Sequence, residues 1–183
     1  MQKRTPARLL TEAGLIAGMY TALTLLLPAP SFGIVQCRFS EVFTILAAFT
    51  PSAIPGLTVG CLVSNLVGLG MGVNPAGAWD LLLGPIATLL AAITTWKLSR
   101  IRFGGLPVFA TLPPVLFNAV VVGAELTFVS PQFSWPVLWI NMGSVGAGQL
   151  IACTVGGLVL YAALDRSGAA DKLFGRRTAP DIG

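Results

Sequence analysis

The sequence predicts an all-α integral membrane protein, a compact bundle of six transmembrane helices with both termini on the cytoplasmic side. Three observations predict it. Hydrophobic residues make up 55% of the 183, charged residues only 10%, and mean hydropathy is +0.82, whereas an ordinary soluble domain carries roughly 25% charge. Apolar runs recur near residues 9–27, 39–51, 53–70, 79–98, 107–129 and 137–164, against the need for about 20 apolar residues to cross a hydrocarbon core about 30 Å thick. With the N-terminus inside, ten of the eleven Lys and Arg residues fall on the cytoplasmic side and only Arg38 falls outside, as the positive-inside rule requires.

In chain order, residues 1–8 form a basic cytoplasmic N-terminus with Lys3, Arg4 and Arg8. The first apolar run is too long for a cleaved secretory signal and lacks a small-residue cleavage pattern, so it reads as a retained helix. It carries two columns of small residues, Ala13 with Ala17 and Thr21, and Gly14 with Gly18 and Ala22. Membrane helices approach one another through such residues, and this broad face suits a neighbour in the bundle or a separate protein equally. The second run is short, and either tilts or starts on the polar turn 37–40. Helix 3 has a ridge of Gly56, Gly60, Ser64 and Gly68, and helix 6 has one of Ser144, Gly148, Ala152 and Gly156; both are read as packing surfaces within the bundle. The outer loop 69–80, with its glycines and Pro75, has the composition of a bending, gating segment. Residues 9–164 make the membrane domain and 165–183 a basic cytoplasmic tail.

Absences narrow the chemistry. There is no histidine, which removes the Ser-His-Asp arrangement and the HExxH zinc helix. No GxxxxGK[ST] phosphate loop occurs, so any ATP-driven step belongs to another subunit, and the chain is expected to be neither an enzyme nor a cofactor carrier. Cys37, Cys61 and Cys153 are far apart and read as small apolar fillers, with no metal site indicated. Cytoplasmic anchoring accounts for the +4 charge, so no nucleic-acid partner is expected.

Three carboxylates, Glu41, Asp80 and Glu125, lie in or at the edges of the apolar runs. A charge at mid-membrane costs about 2.5 to 3.5 kcal/mol even on the lenient insertion scale, so such residues face a cavity, a partner or a ligand. Arg38 and Glu41 are one turn apart and can pair. Asp80 is either the N-cap of helix 4 or a site residue, and Trp79 is either interfacial belt or a binding platform. Asn118 and Glu125, seven residues and about 10 Å apart on nearly one face of helix 5, form a pocket wall or bond to a neighbouring helix, Glu125 to Arg38 among the options. Trp135, Trp139 and Met142 share a face of helix 6 with Asn141 beside them; Asn65 lies at similar depth, and Gln149 is deeper and structural. The candidate ligand set is Arg38, Glu41, Asn65, Trp79, Asp80, Asn118, Glu125, Trp139 and Asn141.

The stretches Leu10-Thr11-Glu12-Ala13-Gly14-Leu15-Ile16-Ala17, Gln36-Cys37-Arg38-Phe39-Ser40-Glu41, Phe49-Thr50-Pro51-Ser52-Ala53-Ile54-Pro55-Gly56-Leu57 and Leu112-Pro113-Pro114-Val115-Leu116-Phe117-Asn118-Ala119 together resemble the QueT family, over nearly the whole chain from residue 9 to 164. The resemblance implies a substrate-binding S component of an energy-coupling factor (ECF) transporter in a prokaryotic cytoplasmic membrane. It implies a pocket near the extracellular surface under the loops after helices 1 and 3, and a queuosine precursor such as preQ1 or queuine as ligand. Its partners would be a transmembrane T component, docked on helix 1 at Ala13, Gly14, Ala17 and Gly18, and two ATPase subunits that bind ATP and Mg. For a 7-deazaguanine base, Glu125 or Glu41 would accept the pairing-edge N–H donors, Asn118 or Asn65 would meet the carbonyl edge, Trp79 or Trp139 the ring face, and Asp80 an ammonium. Two other readings stay open on the same residues: an S component for a different vitamin or base, and a stand-alone proton-coupled carrier in which Glu125 and Glu41 titrate.

Overall fold

The computed structural model describes residues 5–32, 37–131 and 133–175. The described chain is helical, in the order α1 (Pro6–Leu26), α2 (Pro28–Phe32), a 3-10 helix (Phe39–Ala48), α3 (Ala53–Gly70), a 3-10 turn (Gly77–Leu81), α4 (Leu83–Leu98), a 3-10 turn (Val108–Thr111), α5 (Leu112–Phe128), α6 (Trp135–Gln149), a π-helical segment (Leu150–Gly156), α7 (Gly157–Arg166) and α8 (Ala169–Phe174). Lys3, Arg4, Gln36, Arg176 and Arg177, which entered the charge and motif arguments, lie outside the described residues.

Local chemistry sets the breaks. Thr5 caps α1 by accepting the Arg8 N–H at 3.4 Å, and Pro6 follows at the first helical position, where its missing N–H is harmless. Leu27 leaves the helical region because Pro28 follows it. Ser134 caps α6 in the same way, with Pro136 just inside. Between α4 and α5, Phe103 and Leu106 pair across Gly104 and Gly105, whose φ of 59° and 81° suit the mirror-image turn of a two-residue hairpin.

Five stretches are long and apolar enough to cross a membrane: Pro6–Leu26, Ala53–Gly70, Gly77–Leu98, Val108–Phe128 and Trp135–Arg166. They coincide with five of the six expected runs. The run at 39–51 differs: Phe39–Ala48 is a ten-residue 3-10 helix, which at about 2.0 Å per residue reaches only about 20 Å. It is enclosed by α1, α4, α7 and the π-helical segment, and Ser40, Glu41, Thr44, Ile45, Leu46 and Ala47 are buried. Its polar side chains need protein partners, which holds this segment in the centre of the bundle. The surface is inverted relative to a soluble protein: Leu15, Leu66, Leu116 and Ile140 are exposed, while Thr24, Thr88, Asn118 and Glu125 are buried. That distribution is the one a hydrocarbon solvent demands.

The small-residue ridges pack as read, and they divide the two columns of α1. A Cβ on Gly56 would stand 2.7 Å from the Ala13 carbonyl oxygen, and one on Gly60 would stand 3.0 Å from that of Ala17. Ala13 and Ala17 therefore face α3 and are half-buried, whereas nothing lies within 4 Å of a Cβ on Gly14 or Gly18. The four residues are therefore not one free face: Ala13 and Ala17 pack against α3, and Gly14 and Gly18 are open. On the far side of the bundle Gly156 meets Val42 of the 3-10 helix.

One end of the bundle gathers basic residues. Arg8 donates to the Leu173 carbonyl at 3.1 Å, Phe49 stacks between Tyr161 (4.7 Å) and Phe174 (6.1 Å), and the Arg102 guanidinium lies 5.8 Å from the Tyr161 ring centre. The start of α1, the α4–α5 connection and α8 thus share an end, and the polar groups described next lie toward the other.

Candidate functional site

Arg38 precedes the 3-10 helix and is 3% exposed. Its Nη2 lies 3.2 Å from Asp80 Oδ2, its guanidinium sits 5.5 Å from the centre of the Phe32 ring, and that ring in turn rests where Gly68 has no side chain. Asn74 Nδ2 donates to the same Asp80 oxygen at 2.9 Å, and Asn65 Nδ2 donates to the Asp80 carbonyl at 2.7 Å. Gly84 allows this approach, because a Cβ there would overlap Asp80 Oδ1. The expected Arg38–Glu41 pair is replaced by Arg38–Asp80. Asp80 does not cap helix 4 either: it lies within the turn Gly77–Leu81, and the N-cap position of α4 is Leu82 with no side-chain bond.

Glu41 is fully buried and satisfied by hydroxyls. Tyr20 donates to Oε1 at 2.5 Å, Thr44 to Oε2 at 2.8 Å and Thr88 to Oε1 at 3.3 Å, while the Cys153 thiol reaches the Glu41 carbonyl at 3.7 Å. Three elements, α1, the 3-10 helix itself and α4, thus supply the donors of one carboxylate. Sequence reasoning missed Tyr20, Thr44, Thr88 and Asn74. The available signal was Tyr20, a phenol in the middle of an apolar helix, which needs a partner once buried.

Glu125, on α5, is the opposite case. It is 3% exposed, and neither carboxylate oxygen has a hydrogen-bond partner among the described residues. Asn118, on the same helix, is 2% exposed with its Nδ2 equally unpartnered. The alternative of a Glu125–Arg38 pair is not formed, since Arg38 is held by Asp80. Glu125 lines a groove of about 560 Å³ between the turn Gly77–Leu81 with the start of α4 and the last half of α5, together with Trp79, Leu83, Val121 and Phe128. A second groove, about 910 Å³, shares Val120 and Val121 with the first and runs along α4 and α5 past Leu90, Leu98 and Phe109; its lining is almost wholly apolar.

The remaining candidates separate. Trp139 is 65% exposed and lines neither groove. Asn141 donates to the Thr127 hydroxyl at 3.0 Å, and Thr127 donates to the Gly123 carbonyl at 2.9 Å, a tie between α6 and α5 where Gly123 touches the Met142 backbone. Gln149 accepts from the Cys153 thiol at 3.2 Å. All three cysteines are free thiols. Among the described residues, no group of three or more His, Cys, Asp or Glu is placed to hold a metal ion.

The arrangement is that of a membrane chain with one carboxylate satisfied by hydroxyls, Glu41, one paired with an arginine through Oδ2 but with a buried, unpartnered Oδ1, Asp80, and one at a groove with neither oxygen partnered, Glu125. A family model described as QueT transporter matches residues 10–166. The chain belongs to the QueT transporter family. No curated protein and no solved structure matches. The matched region of this QueT-family protein runs from α1 to the last turn of α7 and contains Arg38, Glu41, Asp80, Asn118 and Glu125 with their partners. It is a multi-pass membrane protein of a transporter family.

Proposed function

We propose that this QueT-family chain is the substrate-binding S component of an energy-coupling factor importer, and that it captures a queuosine precursor, a 7-deazaguanine base, from the extracellular side. Glu125 carries the reading: a carboxylate 3% exposed, without a protein partner, lining a groove beside Trp79. Ionisable groups inside a membrane are costly, and where they occur they mark ligand or ion pathways. The pairing edge of a deazaguanine presents adjacent N–H donors that both oxygens of one carboxylate can accept together. Its flat face suits the Trp79 indole; Asn118, whose buried Nδ2 has no partner, lines neither groove and would reach the base carbonyl only if the groove deepened along α5. A few polar groups in an otherwise apolar groove is the usual build of a small-molecule site.

The site lies toward the end of the bundle away from Arg8, Arg102 and α8, which under the positive-inside rule is the outer end. No phosphate loop occurs in the chain, and in this reading the energy comes from ATPase partners acting through a T component. The exposed Gly14 and Gly18 of α1 offer that component a close approach. The test is mass spectrometry of the small molecule retained after gentle purification, followed by uptake assays with and without co-expressed T and ATPase subunits. Retention of a deazaguanine and ATPase-dependent uptake are expected. Uptake without those subunits, driven by the proton gradient, would replace this reading with that of a stand-alone carrier.

A further inference from the structure

We infer that the larger groove between α4 and α5 binds an anionic phospholipid of the leaflet at the basic end of the bundle, with an acyl chain in the groove and the headgroup on Lys97 and Arg100. This goes beyond the transport reading and holds whatever small molecule the Glu125 site takes. The groove, of about 910 Å³, is lined at the basic end by Leu98, Ile101 and Phe109 and at its far end by Val120 and Val121. From Phe109 to Val121 the chain rises about 20 Å, at about 2.0 Å per residue in the 3-10 turn and about 1.5 Å in α5. A bilayer measures about 40–45 Å with its headgroup regions, so the groove has the depth of one leaflet. Thr94, the one polar side chain in the lining, donates to the Leu90 carbonyl at 2.8 Å and asks no bond of an occupant.

Side-chain size and charge choose this occupant over a partner helix. Membrane helices pack through small residues that let backbones approach, as Gly56 and Gly60 do against α1, and no Gly, Ala or Ser lines this groove. Its walls are bulky, Phe109 and Leu116 among them, and suit a flexible hydrocarbon chain. The charge is one-sided. Between Asp80 and Glu125 the chain carries Lys97, Arg100 and Arg102 and no acidic residue, and all three bases are exposed. Arg102 turns to the Tyr161 ring and the Gly105 carbonyl. Lys97 follows Thr94 by about one turn on the groove face of α4, and Arg100 adjoins Ile101. Neither has an acidic partner among the described residues. A lipid phosphate supplies one, and each Lys or Arg near an anionic headgroup adds to the attraction.

The test is native mass spectrometry of the full-length chain in detergent supplied with equal amounts of phosphatidylglycerol and phosphatidylcholine of the same acyl chains. Retained phosphatidylglycerol, favoured by about tenfold or more, is expected, the scale of basic side chains at an anionic headgroup. Excess soluble glycerophosphoglycerol, the headgroup without chains, should not displace it. In the double variant Lys97→Gln/Arg100→Gln the ratio should fall toward one, and in Thr94→Trp, which fills the groove and leaves both bases, retention of either lipid should be lost. Lys172→Gln, a base on α8 at the same end, should keep the full preference. Equal retention of the two lipids by the wild type overturns the inference, and displacement by the soluble headgroup overturns the groove as the seat; neither arm needs a variant to fold. Undiminished retention in Thr94→Trp also overturns the groove. A loss in Lys172→Gln as large as in the double variant overturns the assignment to Lys97 and Arg100. A lipid-free dimer would overturn the inference by giving the groove to a second copy of the chain.

Discussion

Arg38 and Asp80, 42 residues apart in the chain, form an ion pair of 3.2 Å in which the two side chains are 3% and 1% exposed. It joins the entry to the central 3-10 helix to the turn that opens α4, and Asn74 extends it into the connection between α3 and α4. Removing one member of such a pair leaves a buried charge alone, at a cost of about 3–5 kcal/mol. Arg38→Gln and Asp80→Asn should each lower stability by about that much, and the double variant by clearly less than the sum. Denaturant unfolding in mild detergent measures all three. Strict additivity would show that the two side chains do not depend on one another.

Glu41 should behave as a structural carboxylate. Tyr20→Phe removes its 2.5 Å donor and leaves Thr44 and Thr88, so a loss of about 1–3 kcal/mol in stability is expected, with ligand affinity little changed. A fall in affinity with no fall in stability would instead make Glu41 a ligand group.

Losing the charge of Glu125 should affect binding more than folding. Glu125→Gln keeps the shape, replaces one accepting oxygen with a donor, and is expected to weaken binding of a deazaguanine by about 2 to 4 kcal/mol, roughly 30-fold or more. Asn118→Ala should weaken it less, and Trp139→Leu, at an exposed position that lines neither groove, should leave it unchanged. Calorimetry on each purified variant gives the order, and a strong effect at Trp139 would move the pocket to α6.

The two faces of α1 should respond differently to bulk. Gly56→Leu and Gly60→Leu force side chains into the backbone of Ala13 and Ala17, so both should reduce the yield of folded protein. Gly14→Leu and Gly18→Leu meet open space; they should fold and bind ligand normally yet lose uptake in cells carrying the partner subunits. Normal uptake in both would remove this face as the docking surface.

Topology can be read by labelling. Arg8 reaches Leu173, so the start of α1 and α8 share an end, expected to be cytoplasmic. In a background without the three native cysteines, Gly168→Cys should resist a membrane-impermeant reagent in intact cells and react once the membrane is opened. Labelling from outside would reverse the orientation and place Glu125 toward the cytoplasm.

By itself the sequence determined the solvent. Apolar runs of membrane-spanning length, a scarcity of charge and a skewed placement of Lys and Arg are consequences of hydrocarbon thickness and ion solvation, which act on each segment independently, and five of the expected spans stand as helices. The glycine ridges of α3 and of the last long helix were legible for the same reason, since a four-residue period marks one helix face wherever the helix sits. The second run was legible as short, but not as a 3-10 helix enclosed by the bundle: the period of an apolar run does not reveal that Ser40 and Glu41 would be drawn inward by Thr24, Tyr20 and Thr88. Only the tertiary structure decided which buried carboxylate is free to do something else. Three acids at similar depth look alike in the chain, and whether an acid is neutralised, solvated by hydroxyls or left without a partner depends on donors brought from 21 to 47 residues away. That pairing separated Glu125 from Glu41 and Asp80, and it divided the two small-residue columns of α1 into one facing α3 and one left open.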